Sequence, residues 1–535
     1  MKEQSTSKGF AILSAATLLT KVLSLVYNPF LVWVLGSTRG FGIYSATYQI
    51  YVFIYVLTNT GIPSAISKLI SEYIAVKNYR SAIKTFRISR TLLIALGILM
   101  AIIMFLFAAP ITSTMGFPEA KNSVLALCPA LIFTAMGSAY RGYFQGRGNM
   151  KPTAISQVLE QIINTIFSLL FAFVFIKKGI VQGVVGATVG TTLGALASSL
   201  FLMAIYEKNR HELKVRNTVN TIKHTNKQIM RKIIKYSVPI TVSIGVTNAG
   251  TLIDTTNTVS RLKFGGFSSV AAQSLSGSYG LFITLIGVPI AIISALAVNI
   301  LPAVSRAVAL NDKKLVKRKI NFALRVCFLI AIPSAVGLTV LSKQIYMLLY
   351  YNRPGYQLLI YGTIILVLMS LAQIQTSILQ GLGKIYTVTI YSIIGIILKI
   401  SINYVLIVRP KINIYGAIVG SVVGFLIPIL LNTIYIRKRL RIKIKIISHA
   451  FKPLICSIFM GAVLWVVYNV FSTLIGFVIV GRINNAISVI IAMVAGMIAY
   501  FYSLLMINGI SRDELDIIPY RLKKRIPKKL LLSRR

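Results

Sequence analysis

Four charged side chains stand well inside otherwise apolar runs, away from their ends: Lys21, Glu160, Asp254 and Lys399. A charge at mid-bilayer costs about 2.5–3.5 kcal/mol even on a lenient insertion scale, so such residues pair, line water or bind ions. A buried ammonium suits an anion such as a phosphate. A buried carboxylate suits an interhelical ion pair or an exchangeable cation. Both readings stay open for Glu160 and Asp254. Polar residues extend these positions at helical spacing, which puts them on one face. The lines are Ser14, Thr17, Lys21, Ser24, Asn28; then Gln157, Glu160, Gln161, Asn164; then Asn248, Thr251, Asp254/Thr255, Thr258. Shorter lines are Gln373, Thr376, Gln380 and Ser392, Lys399, Asn403, and Tyr44, Tyr48, Tyr51, Tyr55 form an aromatic one. No P-loop, dinucleotide fingerprint or nucleophile elbow occurs, and no His/Cys/carboxylate cluster has metal-ligand spacing. Cys128, Cys327 and Cys456 lie far apart in apolar segments and read as small buried hydrophobes.

The elements that must position these residues are membrane helices. The 535-residue chain is 56% hydrophobic and 13% charged, with mean hydropathy +0.78. Apolar runs of about 18 residues or more recur throughout, and they are continuous rather than alternating, which selects helices over a barrel. We read an all-α polytopic membrane protein with about fourteen spans. Their approximate cores are 10–36, 45–70, 91–110, 123–140, 153–176, 184–206, 236–260, 273–302, 322–342, 358–380, 387–408, 414–436, 454–478 and 486–508. The first run lacks a small-residue cleavage site and reads as a retained span.

Lys+Arg number 57 against 11 Asp+Glu. With the N-terminus inside, about 44 of the 57 basic residues fall in inside segments and about 11 in outside loops. The excess is therefore a topology signal rather than a nucleic-acid footprint, with both termini expected in the cytoplasm. The basic tail interleaves apolar residues and is expected on the inner membrane surface.

The chain also repeats. "AISK" (65–68) is answered by "AVSR" (303–306), "FQGRG" (144–148) by "LQGLG" (379–383), and "GATVGTTLG" (186–194) by "GAIVGSVVG" (416–424). Spans one to six thus recur as seven to twelve, and an even number per repeat keeps both halves in one orientation. The expected organisation is an N-lobe (1–206), a cytoplasmic linker (207–235), a C-lobe (236–436), two extra spans (437–508) and the basic tail (509–535). Lys21 and Asp254 then occupy related spans of opposite halves, as do Glu160 and Lys399. Arg141, Arg147 and Lys151 are read into a short inside loop, stiffened by Gly and Pro, that can meet a phosphate at the cytoplasmic mouth.

"GIPSAISKLISE" (61–72), "RGYFQGRGNMKPTAISQVLEQ" (141–161) and "NILPAVSRA" (299–307) resemble a known family. It is the stage V sporulation protein B and polysaccharide-biosynthesis branch of the multidrug/oligosaccharidyl-lipid/polysaccharide exporters, related to bacterial lipid II flippases. The resemblance implies two six-helix lobes around a central cavity, and a groove for the lipid tail on spans thirteen and fourteen. It implies a bacterial cell-membrane transporter rather than an enzyme, whose substrate is an undecaprenyl-diphosphate-linked saccharide such as a peptidoglycan precursor. Lys21 matches the flippases' first basic residue. Their following Arg-Asp pair falls on Tyr27 and Asn28, their paired arginines on Ser67 and Lys68, and the next acid on Glu72. A cavity arginine falls near Thr284, so the cationic cavity is thinner here.

The expected substrate contacts are Lys21, Asn28, Lys68, Glu72, Arg141, Arg147, Gln157, Glu160, Asp254 and Lys399. No cofactor is expected beyond a coupling ion of unknown identity at Glu160 or Asp254. Expected partners are the lipid-linked saccharide, membrane lipids and cell-wall synthesis machinery. Two competing readings are a cation-coupled multidrug exporter, which needs an acidic pocket, and a membrane enzyme on lipid-linked sugars, which needs larger loops.

Overall fold

The computed structural model describes residues 6–209, 225–351, 354–440, 446–477, 479, 481–507 and 509. Residues 210–224 of the basic linker and 510–535 of the tail lie outside the described residues. Every one of the fourteen apolar runs lies on a helix or a broken pair of helices. In chain order they are α1 (Thr6–Leu35), α2 (Thr38–Asn59), α3 (Gly61–Ala75), α4 (Tyr79–Thr114), α5 (Lys121–Gly146), α6 (Lys151–Phe175) and α7 (Ile180–Asn209). There follow α8 (Asn226–Phe264), α9 (Ser269–Ala309), α10 (Lys313–Val340), α11 (Ser342–Tyr350), α12 (Tyr356–Gly362) and α13 (Ile364–Gly381). The last are α14 (Ile385–Leu406), α15 (Gly416–Leu440), α16 (Ile446–Gly476) and α17 (Arg482–Met506).

Thirteen segments among the described residues are long and apolar enough to cross a membrane. The helix read as span seven, α8, is not one of them, although it runs 39 residues. Its middle carries Asn248, Thr251, Asp254, Thr255 and Thr258, the polar line read from sequence. Short loops are set by caps: the side chains of Ser37, Asn78 and Asp312 accept from the first-turn amides of α2, α4 and α10. The three cysteines are buried and unbonded.

The chain divides into two compact units. Unit 1 is Met1–Leu281 with Ile400–Ala417, and unit 2 is Phe282–Lys399 with Ile418–Arg535. Within unit 1 the loops read as outside gather at one end. Gln273 donates to Gly116 O (3.0 Å), and Gly265 packs against the backbone of Val408. The opposite end joins α3, α5 and α8: Gly142 and Gly146 press on the backbone of Pro63 and Ser67, and Lys68 covers the ring of Tyr236.

The repeated motifs meet each other in each half. A Cβ on Gly146 would stand 2.8 Å from Ser67 O, so "FQGRG" lies directly on "AISK". In unit 2 a Cβ on Gly381 would stand 2.9 Å from Leu301 O, and Ser305 Oγ donates to Gly381 O (3.1 Å). "LQGLG" therefore lies on "AVSR" in the same way. Small residues admit this backbone approach where lipid offers no hydrophobic driving force between helices.

Candidate functional site

The glycine stripe of α7 builds the polar centre of unit 1. A Cβ on Gly194 would fall 2.6 Å from Glu160 O, so only glycine lets α7 sit against the turn of α6 that carries Glu160. One turn further along α7, Ser198 thereby reaches Arg141. Arg141 Nη2 lies 2.5 Å from Glu160 Oε2 and donates to Ser198 Oγ at 2.8 Å, and Arg141 Nε donates to Ser156 Oγ at 3.2 Å. The side chains are 13% and 29% exposed, so the pair is largely withdrawn from solvent. This corrects the sequence reading of Arg141 as a loop residue. α5 continues through Gly146, because "RGYFQG" keeps α5 seated on α3 by its two glycines. Arg141 is an interior helix residue whose charge Glu160 compensates.

Next to this pair runs the tyrosine line of α2. Tyr44, Tyr48, Tyr51 and Tyr55 stack in sequence with centroids 4.6, 6.1 and 5.9 Å apart. Tyr27 on α1 shares a hydroxyl contact with Tyr44 at 3.1 Å. The Tyr48 hydroxyl bonds Thr191, whose own hydroxyl donates to Asn164 Oδ1 at 3.1 Å. Gln157 Oε1 is enclosed with no hydrogen-bond partner among the described residues. The unit thus contains a column of hydroxyls and amides spanning α1, α2, α6 and α7, with one neutralised ion pair in its wall.

The remaining sequence-derived positions are spread more widely. Lys21 is exposed on α1 and has no ion pair or hydrogen bond among the described residues. Asn28, two turns on, is half-buried. Lys68 stands 3.9 Å over the Tyr236 ring and 4.0 Å from Glu72, with both charged groups exposed. Arg147 caps the C-terminus of α5, and its Nη1 donates to the Tyr143 hydroxyl at 3.3 Å. Asp254 on α8 is 6% exposed and accepts from Asn403 Nδ2 at 2.5 Å. In unit 2, Lys399 is half-buried, and a Cβ on Gly424 would lie 2.8 Å from Lys399 Cβ. Gly424 and Gly194 end the two repeated glycine motifs. Each presses on the turn that carries the charged residue of its own half.

One constellation escaped the sequence reading. At the end of unit 1 read as outside, Arg39 Nη2 pairs with Glu119 Oε1 at 2.7 Å, and Arg39 Nε donates to Gln273 Oε1 at 2.9 Å. Gln273 Nε2 donates back to Glu119 Oε2 at 3.0 Å. Three polar side chains from α2, the turn Pro118–Ala120 and α9 thus close a ring, with Gln273 fully buried. The available signal was scarcity: with eleven acids in the chain, Glu119 in an outside loop warranted a partner. Among the described residues no group of three His, Cys, Asp or Glu could hold a metal.

A family model described as polysaccharide biosynthesis protein matches residues 6–308, more than half the chain. Stage V sporulation protein B of Bacillus subtilis is 28% identical over 525 residues, covering 97% of this chain and 98% of that protein. The lipid II flippase MurJ of the same organism is 25% identical, covering 92% and 94%. Among solved structures, an inward-facing multidrug resistance MATE family transporter of the MOP superfamily aligns over 80% of this chain and 98% of its own, with TM-score 0.64 and 16% identity. That likeness concerns the fold. The helical polytopic architecture, the repeated motifs and the family match agree, and the chain belongs to the polysaccharide biosynthesis protein family.

Proposed function

We propose that this protein is an alternating-access exporter of the flippase type, moving an undecaprenyl-diphosphate-linked saccharide from the inner to the outer leaflet. The family membership and the two full-length relatives support transport of lipid-linked saccharide over an enzymatic role. The observation that carries the substrate class is the contrast between two cations on membrane helices, one largely buried and one exposed. Arg141 is neutralised by Glu160, whereas Lys21, on the polar line of α1, has no carboxylate partner among the described residues. An uncompensated amine within a span suits a diphosphate.

In this reading Lys21 and Lys68 attract the diphosphate, Asn28, Gln157 and the tyrosine line offer hydrogen bonds to sugar, and Arg147 meets the head group at the cytoplasmic mouth. Lys399 is the basic residue at the related place in the second repeat. Nothing covalent occurs. The membrane potential, worth about 2.3 kcal/mol per charge per 100 mV, is sufficient to bias a charged cycle. The multidrug-exporter alternative is disfavoured because its acidic pocket would rest on Glu160 and Asp254 alone, and Glu160 is already engaged by Arg141.

The test is a head-group accessibility assay in proteoliposomes loaded with labelled undecaprenyl-diphosphate disaccharide-peptide. Lys21→Ala is expected to abolish most translocation. Unchanged rates in Lys21→Ala and Lys68→Ala would remove the cationic-site mechanism.

A further inference from the structure

α4 begins with a basic stripe and turns apolar along the same face. Arg80, Lys84, Arg87, Thr91, Ile94 and Ile98 recur at three- and four-residue spacing. The 24 residues after Arg90 reach about 36 Å at 1.5 Å per residue, enough to cross the roughly 30 Å hydrocarbon layer. Arg90 therefore stands near the boundary between head groups and acyl chains, at the end of unit 1 where the basic loops lie.

At that height the surface between α4, α5 and α7 is hollowed. A trough of about 410 Å³ is lined by Arg90, Ile94, Ile98, Met136, Tyr140 and Met203. Ile98 and Met203 are 42% and 36% exposed, so the trough opens sideways. Its polar end is built. Phe86, Tyr140, Tyr143 and Tyr206 pack in tilted and T-shaped contacts with centroids 4.7–5.4 Å apart. Arg90 sits 5.7 Å from the Phe86 ring, and its Nη1 donates to the nearly buried Tyr140 hydroxyl at 3.4 Å. Among the described residues no carboxylate pairs with Arg90. Most of its five N–H donors are therefore uncommitted.

We propose that this trough is a site for an anionic glycerophospholipid of the leaflet that meets the basic end. The phosphodiester is held by Arg90, whose planar fork suits two phosphate oxygens. Arg87 and Arg80 supply the surrounding positive field. The upper part of one acyl chain lies along Ile94, Ile98, Met136 and Met203, where thioethers adapt to an irregular chain. A second groove in unit 1, which includes Pro110, Thr256, Asn257 and Ile400, has no cationic lining residue. Charge complementarity therefore favours the Arg90 trough for an anionic head. The inference is independent of the transported substrate.

Native mass spectrometry of the purified full-length protein, titrated with phosphatidylglycerol or phosphatidylcholine, tests it. Wild type is expected to retain one phosphatidylglycerol that Arg90→Gln loses, and phosphatidylcholine at the same concentration is not retained. Ile94→Trp, which fills the trough and keeps the guanidinium, is expected to lose the lipid as well and guards against a folding artefact in the arginine variant. Millimolar inorganic phosphate should leave the bound lipid in place. Equal retention by wild type and both variants, equal retention of phosphatidylcholine, or displacement by free phosphate would each overturn the site. So would retention of undecaprenyl phosphate in place of phosphatidylglycerol.

Discussion

Arg141 and Glu160 form a 2.5 Å ion pair between α5 and α6, and Ser156 and Ser198 take further donors of the guanidinium. Breaking a fully buried pair costs about 3–5 kcal/mol because a lone charge remains. Partial exposure of both side chains lowers that to about 1–3 kcal/mol here. Glu160→Gln and Arg141→Gln should each destabilise the detergent-solubilised protein by that amount in thermal or denaturant unfolding. The double Gln variant should recover part of the loss. Simple additivity of the two losses would show that the pair is not coupled.

Lys21 is exposed and lacks a carboxylate partner, so its removal should leave stability within about 0.5 kcal/mol of wild type. A charge-assisted contact is worth about 1.5–3 kcal/mol, so Lys21→Ala should slow head-group translocation about tenfold or more. Lys21→Arg should retain most of the rate. Parallel loss of stability and transport would assign Lys21 to the scaffold instead.

The ring of Arg39, Glu119 and Gln273 ties α2 to α9, that is, the first repeat to the second, at the end read as outside. A transporter that opens there must break it. Glu119→Gln leaves Arg39 without its carboxylate and should favour opening. The reporter is a cysteine at Thr38, which is 8% exposed, with the three buried native cysteines as background. Its labelling by a membrane-impermeant maleimide should accelerate in Glu119→Gln. An unchanged labelling rate would mean that this ring does not hold the end closed.

Gly194 and Gly424 occupy matching places in the two repeats, each without room for a Cβ. Overpacking of this kind costs about 1–3 kcal/mol. Gly194→Ala and Gly424→Ala should therefore both lower the unfolding midpoint. Gly287→Ala, on α9 with nothing within 4 Å, should raise stability by about 0.5–1 kcal/mol by helix propensity. If all three behave alike, close helix contact is not what these glycines serve.

Much of the architecture is legible in the residues because lipid imposes a simple rule. A backbone in hydrocarbon must bond to itself, so each long apolar run becomes a helix. All fourteen runs lie on helices, and α8 fell short in apolarity through the same polar residues that marked its polar line. The motif pairs were legible too, since "FQGRG" and "LQGLG" each pack on their own partner motif. Arg141 was misplaced because its glycine neighbours resemble a turn when read without α3. The Arg39–Glu119–Gln273 ring was invisible because its members lie 80, 154 and 234 positions apart.

The linear chain by itself determined the spans, their alternation, the internal duplication and which charges stand in apolar surroundings, because hydropathy and periodicity are local properties. Only the tertiary structure decided which of those charges are spent on each other. Ion pairing depends on distances of a few ångströms between helices far apart in the chain. Gly194 lets α7 close on the turn of α6 that carries Glu160, which brings Ser198 to the Arg141 guanidinium.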